Sequence, residues 1–120
     1  MQMPPASADA VRMFQSLVPD DARVTTRKMF GQPAAFVNGQ MFFGVFGGRL
    51  FLRLSETDRD AADGVPGFGP FEPMPGRAMH EYRVLPAAVL ADRTQARRWI
   101  SKSLAHVAGL PPKKARPKTR

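Results

Sequence analysis

Residues 27–46 read RKMFGQPAAFVNGQMFFGVF, with an apolar run on either side of Asn38-Gly39. Asn-Gly is the dipeptide that best fits a two-residue β-hairpin turn, because both residues tolerate a positive φ. The stretch therefore predicts a hairpin with strands over residues 34–37 and 40–46. Pro33 has no N–H to donate, so its join to a preceding strand, predicted over residues 24–30, should be a bulge or an edge position.

The alternating pattern continues after a second tight turn at Gly47-Gly48. Residues 49–54 place three leucines on one face of a strand and Arg49, Phe51 and Arg53 on the other. A further strand is predicted over residues 79–84.

The segment between these strands is predicted as a short helix followed by a loop. Residues 64–76 contain four glycines and four prolines, a composition typical of a loop. Three large apolar residues should anchor this loop to the body of the domain: Phe68, Phe71 and Met74.

Helices are predicted where Ser7, Ser55 and Asp92 can act as N-caps. The helix that follows Asp92 carries one apolar stripe, formed by Ala96, Trp99, Ile100, Ser103, Leu104 and Val107. The predicted order is α, three or four strands in a meander, α, β, α. This order gives a two-layer α+β domain, with helices covering one face of a mainly antiparallel sheet.

The composition bounds the class of protein. A length of 120 residues predicts one domain, which we place at residues 1–110, followed by a disordered basic tail at 111–120. Cysteine is absent, which excludes disulfide scaffolds and thiolate chemistry. No signal peptide and no membrane-spanning run of about 20 apolar residues is recognised, so we expect a cytoplasmic protein without a membrane partner. The net charge is +8, of which residues 113–120 supply five positive charges.

Several spaced motifs between residues 10 and 110 resemble the N-terminal domain of the TfoX/Sxy family, the regulators of natural competence. The motifs that carry the resemblance are Arg27-Lys-Met-Phe-Gly31, Ala35-Phe-Val-Asn-Gly39 with Met41-Phe42, Leu52-Arg-Leu-Ser-Glu-Thr-Asp-Arg59, Phe71-Glu-Pro-Met-Pro-Gly-Arg77, Met79-His-Glu-Tyr82, Leu85-Pro86 and Trp99. The motifs more closely resemble those of the short, stand-alone proteins built from this domain. The resemblance implies a secretion-chaperone-like α+β fold and a role related to transcriptional regulation. It implies no catalytic residue.

The candidate contact residues are basic, with one aromatic among them. They are Arg27, Lys28, Arg49, Phe51 and Arg53 on the predicted strands, and Lys113, Lys114, Arg116, Lys118 and Arg120 in the tail. An aromatic residue between two arginines on an exposed sheet face is typical of single-stranded nucleic-acid binders. The alternative is that Phe51 packs under a helix or against a second subunit while the arginines reach around it.

Two functions follow, and they differ in the partner. The favoured hypothesis is a non-enzymatic regulatory or interaction domain whose partner is a protein of unknown identity, with a homodimer through an exposed sheet or strand edge as one form. The alternative is sequence-independent nucleic-acid binding by the basic sheet face and the tail. A small enzyme has the least support, since no catalytic constellation is found. The two histidines lack the spacing of a metal site, and no glycine-rich cofactor loop is present, so neither a metal nor a cofactor is expected.

Overall fold

The computed structural model describes residues 5–29 and 31–111. In this part of the chain, four helices and six strands follow one another: α1 (Ala8–Leu17), β1 (Thr25–Met29), β2 (Gln32–Val37), β3 (Gln40–Phe46), β4 (Arg49–Arg53), α2 (Glu56–Asp63), β5 (Gly69–Pro70), β6 (Tyr82–Val84), α3 (Ala87–Ala91) and α4 (Arg93–Ala108). The strands form one sheet in the order β1-β2-β3-β4-β6-β5, and every neighbouring pair is antiparallel. The predicted α+β class is confirmed, whereas the secretion-chaperone-like resemblance stays a prediction.

The β2–β3 hairpin turns at the predicted dipeptide. Asn38 has a φ of 56° and Gly39 a φ of 71°, the pair of positive values that a type I′ turn requires. Val37 pairs with Gln40 directly across the turn. Pro33 lies in β2 opposite Lys28 of β1, and pairing with β3 begins only at Ala34, so Pro33 has one neighbouring strand instead of two.

A β-bulge in β3 allows two adjacent phenylalanines to lie in the same core. Ala35 pairs with Phe43 and Phe36 pairs with Met41, so Phe42 is the extra residue. Phe42 and Phe43 both lie in the core under the helices, and both are 0% exposed. Strict alternation would have placed one of them on the opposite face.

The helices cover one face of the sheet and form the larger core with it. The predicted stripe of α4 is entirely buried. Within it, the Ser103 hydroxyl donates a hydrogen bond of 2.8 Å to the carbonyl of Phe42, which satisfies the polar group that α4 buries. From α1, the ring of Phe14 stacks on that of Phe43 with centroids 4.9 Å apart.

All three predicted N-caps are confirmed. The Ser7 hydroxyl accepts a hydrogen bond from the Ala10 amide, the Ser55 hydroxyl from that of Asp58, and the Asp92 carboxylate from that of Gln95. Each cap satisfies an amide that has no partner within its own helix. The boundaries of α1, α2 and α4 therefore follow directly from local sequence.

The other face of the sheet carries a smaller core that none of the four described helices covers. Its members are Ala34, Phe36, Met41, Phe51, Phe71, Tyr82 and Val84. The ring of Phe71 stacks on that of Phe51 with centroids 4.0 Å apart and planes 9° apart. Phe71 belongs to the segment between β5 and β6, so this connection takes the place of a second helical layer.

Three details of that connection differ from the sequence prediction. Strand β5, only two residues long, was not predicted. Strand β6 begins at Tyr82 instead of residue 79, because the amide of Tyr82 donates to the carbonyl of Met79 and makes a turn there. The prediction that Met74 anchors the loop is wrong: the residue is 42% exposed, at a turn closed by the Arg77 amide.

The side chain of Asn38 also binds the C-terminal end of the last helix. Its side-chain amide donates to the carbonyls of Val107 and Ala108, the last two residues of α4, at 3.2 and 2.8 Å. Carbonyls in the last turn of a helix lack the usual i→i+4 amide partner, so the Asn38 amide supplies donors there. Beyond it, Gln40 donates to the carbonyl of Pro111 at 3.0 Å. The predicted basic tail beyond Pro111 lies outside the described residues, and the boundary at residue 110 stays a prediction.

We predict that Gly44→Ala destabilises the domain by about 1–3 kcal/mol, the usual range for overpacking a core. A Cβ atom on Gly44 would lie 2.8 Å from Cζ of Phe51 and 3.2 Å from Cβ of Ala34. The Phe51 ring cannot move away freely, because Phe71 stacks closely against it. Chemical denaturation measures the loss.

Gly69→Ala is the matched control, since no atom of the described residues, apart from Gly69 itself and its chain neighbours, lies within 4 Å of its added Cβ. In a Phe51→Leu background, the cost of Gly44→Ala should fall, because the atom it meets is gone. Equal costs in both backgrounds would contradict the stated cause.

Candidate interaction surfaces

The predicted basic patch is divided between the two faces of the sheet. Arg27 pairs with Ala34, which belongs to the smaller core, whereas Lys28 pairs with Pro33 and lines a groove beside α1. Adjacent residues of a strand point to opposite faces. Arg27 therefore shares a face with Arg49 and Arg53, and the expectation that Lys28 joins them is wrong.

Phe51 is buried, and the prediction of an exposed aromatic between two arginines is wrong. Its side chain is 1% exposed, under Phe71 and edge-on to Tyr82. The alternative interpretation has Phe51 packed under a helix or against a second subunit. The burial of Phe51 agrees with it, but the ring that covers Phe51 is Phe71, which belongs to the segment between β5 and β6 and not to a helix. A nucleic-acid base cannot stack on this ring unless Phe71 leaves it.

Arg53 is engaged within the domain. Its Nε donates to the Glu81 carboxylate at 2.7 Å, and its Nη1 donates to the side-chain oxygen of Gln40 at 3.0 Å. The hydrogen bond from Arg53 holds the pKa of Glu81 below its ordinary value. Arg53 therefore fastens the segment before β6 to the sheet and presents little charge to a partner.

Arg49 is exposed at the rim of a cavity of about 230 Å³ on the same face. Phe46, Phe51, Phe71 and Val84 contribute apolar surface to this cavity, and Pro70 and Glu72 complete its lining. The cavity is large enough for a small apolar group, and its lining includes one cation, Arg49, and one carboxylate, Glu72.

Strand β1 forms a free edge of the sheet. Among residues 5–29 and 31–111 it pairs only with β2, and its first four residues, Thr25 to Lys28, are exposed. The guanidinium of Arg27 lies 4.2 Å from the centre of the Phe36 ring, a cation–π contact that holds this side chain over the smaller core. The opposite edge is β5, with two residues, one of them a proline.

Helix α4 presents a basic surface whose residues are not among the predicted contact residues. Arg93, Arg97, Arg98 and Lys102 are all exposed, and the helix contains no acidic residue. Arg93 donates to the carbonyl of Ser16 at 3.2 Å, and Lys102 lies 3.9 Å from Asp58. The pairs 93/97 and 98/102 have i, i+4 spacing, which is visible in the sequence. The five tail cations, Lys113, Lys114, Arg116, Lys118 and Arg120, lie outside the described residues.

Neither histidine is part of a cluster of ligating side chains. Within residues 5–29 and 31–111, no three His, Asp or Glu side chains gather where they could hold a metal ion. Asp63 of α2 instead accepts two hydrogen bonds from Arg83, which lower the pKa of its carboxyl group. No helix in the same ranges is both long enough and apolar enough to cross a bilayer.

The fold and its surfaces define a class: an α+β domain with one helix-covered sheet face, one face closed by a loop, and one long free edge. The sequence model of the TfoX N-terminal domain matches residues 14–107. The chain therefore belongs to the TfoX N-terminal domain family. Comparison with curated proteins gives no match to this sequence.

We predict that Arg53→Met raises the pKa of Glu81 toward its ordinary value, because the hydrogen bond that lowers this pKa is lost. A depressed carboxylate pKa stabilises the folded state above the ordinary value of about 4.3, and this stability is lost as the pH falls through the folded pKa. As the pH falls from about 5 to about 3, the variant should therefore lose less stability than the natural chain does. At neutral pH, the variant should be less stable than the natural chain by about 1 kcal/mol.

An NMR titration of the Glu81 carboxyl carbon, with denaturation at each pH, checks both effects. Arg12→Met is the control, since Arg12 pairs with Asp9 on α1. An unchanged Glu81 pKa in Arg53→Met would contradict the assigned cause.

Proposed function

We propose that this protein is a non-enzymatic regulatory domain that acts by binding another protein, in the manner of a competence-regulator domain. Membership of the TfoX N-terminal domain family supports a regulatory role. The observation that carries the proposal is the free edge at β1, where the first four residues are exposed and only one side of the strand is paired within the described part of the chain.

Proteins usually protect exposed edge strands, because their unpaired backbone groups favour association with other chains. The strand at the opposite edge, β5, has only two residues, and the second of them, Pro70, has no backbone N–H to donate. On β1, Arg27 and Lys28 make uncontrolled pairing less favourable but leave the backbone accessible. The edge therefore suits association with a selected partner.

Nucleic-acid binding is the second candidate, and the basic surface of α4 favours it. Four exposed cations on one helix without an acidic residue give a local excess of positive charge. The chain that follows α4 adds five more cations in residues 113–120. With Phe51 buried, this candidate uses the helix and the tail, and contact with phosphates instead of base stacking.

We predict that the tagged full chain captures a protein from an extract of its native host, and that nuclease treatment leaves the capture intact. Arg27→Glu/Lys28→Glu should abolish the capture, because it reverses both charges of the edge. Arg97→Glu/Arg98→Glu makes the same change of charge on α4 and should retain it. Quantitative mass spectrometry of the bound fraction is the measurement.

A capture that disappears after nuclease treatment, or that depends on Arg97 and Arg98 alone, would favour the nucleic-acid candidate. Absence of any specifically captured protein would contradict the proposed function.

For the nucleic-acid candidate, we predict a steep dependence of duplex affinity on salt. The five tail cations alone give a log–log slope of roughly −4 to −5, and each further contact from α4 adds about −0.9. A chain ending at residue 111 should lose the tail contribution, and Arg97→Glu/Arg98→Glu the helix contribution. Fluorescence anisotropy with labelled DNA checks this; no binding at about 50 mM salt, or a flat slope, would exclude the candidate.

A further inference from the structure

We propose that the free edge at β1 binds an extended acidic segment of a partner protein by strand addition, with one apolar side chain of that segment in the groove between α1 and β1. The inference rests on the proposed function and names the chemistry of the partner. Three features of the described residues support it: the backbone of β1, the groove, and the charges that flank them.

The backbone of β1 offers the first feature. Its five residues span about 17 Å at the usual rise of about 3.4 Å per residue. They pair with β2 without interruption from Thr25–Phe36 to Met29–Gln32. A regular strand that is paired on one side presents outward-pointing amides and carbonyls along its other side, the arrangement that strand addition uses.

The groove offers the second feature. It has a volume of about 290 Å³ and lies on the helix side of β1, where its lining includes Phe14, Gln15, Val18, Thr26, Lys28 and Pro33. Phe14 is 2% exposed and stacks on Phe43, so this part of the lining is fixed by the main core. Alternate side chains of an added strand would point to this face, and one of them could enter the groove.

The charges offer the third feature. Lys28 lines the groove, while Arg27 lies on the opposite face over Phe36. An added strand with carboxylates on both of its faces would meet one cation on each face. Arg23, just before β1, is already engaged by Asp21, and its hydrogen bonds lower the pKa of Asp21 to about 2.

The same charges disfavour a second copy of this chain as the occupant. Antiparallel pairing of β1 with itself over its whole length about a two-fold axis would place Arg27 opposite Arg27. Like charges directly opposite in a sheet are destabilising. A partner segment with an apolar residue between acidic ones fits the edge better.

Selection from a library of random peptides displayed on phage, against the full chain, tests the inference. We expect the enriched peptides to carry acidic residues on either side of a Leu, Ile, Val, Met or Phe. Binding of a synthetic copy should fall at least about tenfold in Arg27→Glu/Lys28→Glu, a loss of about 1.4 kcal/mol. It should stay unchanged in Arg97→Glu/Arg98→Glu.

Two further measurements locate the peptide. Amide chemical shifts should change along β1 and at Gln15 and Val18, and the outward amides of β1 should exchange more slowly with solvent. Thermal unfolding checks that both variants remain folded. A Val18→Asp variant, which changes the lining of the groove and leaves the strand charges intact, should also weaken binding.

Enriched peptides without acidic residues, equal binding to both charge variants, shifts located elsewhere, or no enrichment at all would each overturn the inference. So would a concentration-dependent dimer with protected β1 amides, since a second copy would then occupy the edge. If the host protein is captured independently of Arg27 and Lys28, the strand-addition inference fails while the proposed function stands. If nothing is captured, the proposed function itself fails.

Discussion

The register of the β2–β3 hairpin is the constraint on which the rest of the domain depends. The type I′ turn at Asn38-Gly39 sets the pairing from one end, and the extra residue at Phe42 adjusts it in the middle. Because side chains alternate with a period of two, a slip of one residue would exchange the two faces of the sheet. The larger core under the helices, and the smaller one under the segment before β6, both require the register observed.

Local signals in the sequence were sufficient for most of the secondary structure. The turn dipeptide, the caps at Ser7, Ser55 and Asp92, and the stripe of α4 involve residues only a few positions apart, and all are confirmed. The packing of the second face was not predictable in this way. Phe71 meets Phe51 across twenty residues of chain, and a contact of that separation leaves no periodic trace in either segment.

The candidate surfaces were predicted less well, for two different reasons. Arg27 and Lys28 are adjacent on a strand, and their separation onto opposite faces follows from alternation alone, so the sequence contained that answer. The basic rows of α4 were likewise visible in their spacing. By contrast, Arg53 binds Glu81 and Gln40 only because β4, β3 and the segment before β6 lie side by side in the fold. A local sequence pattern does not predict such contacts.

The side chain of Asn38 couples the hairpin turn to the C-terminal end of α4. It belongs to the turn of a hairpin, yet it also holds the final carbonyls of a helix about seventy residues further along the chain. If the turn opens, the last turn of α4 loses donors, and if the helix end frays, the turn loses an anchor. The hairpin tip and the helix terminus should therefore open to solvent together, as one cooperative unit, although the ends of elements ordinarily fray independently.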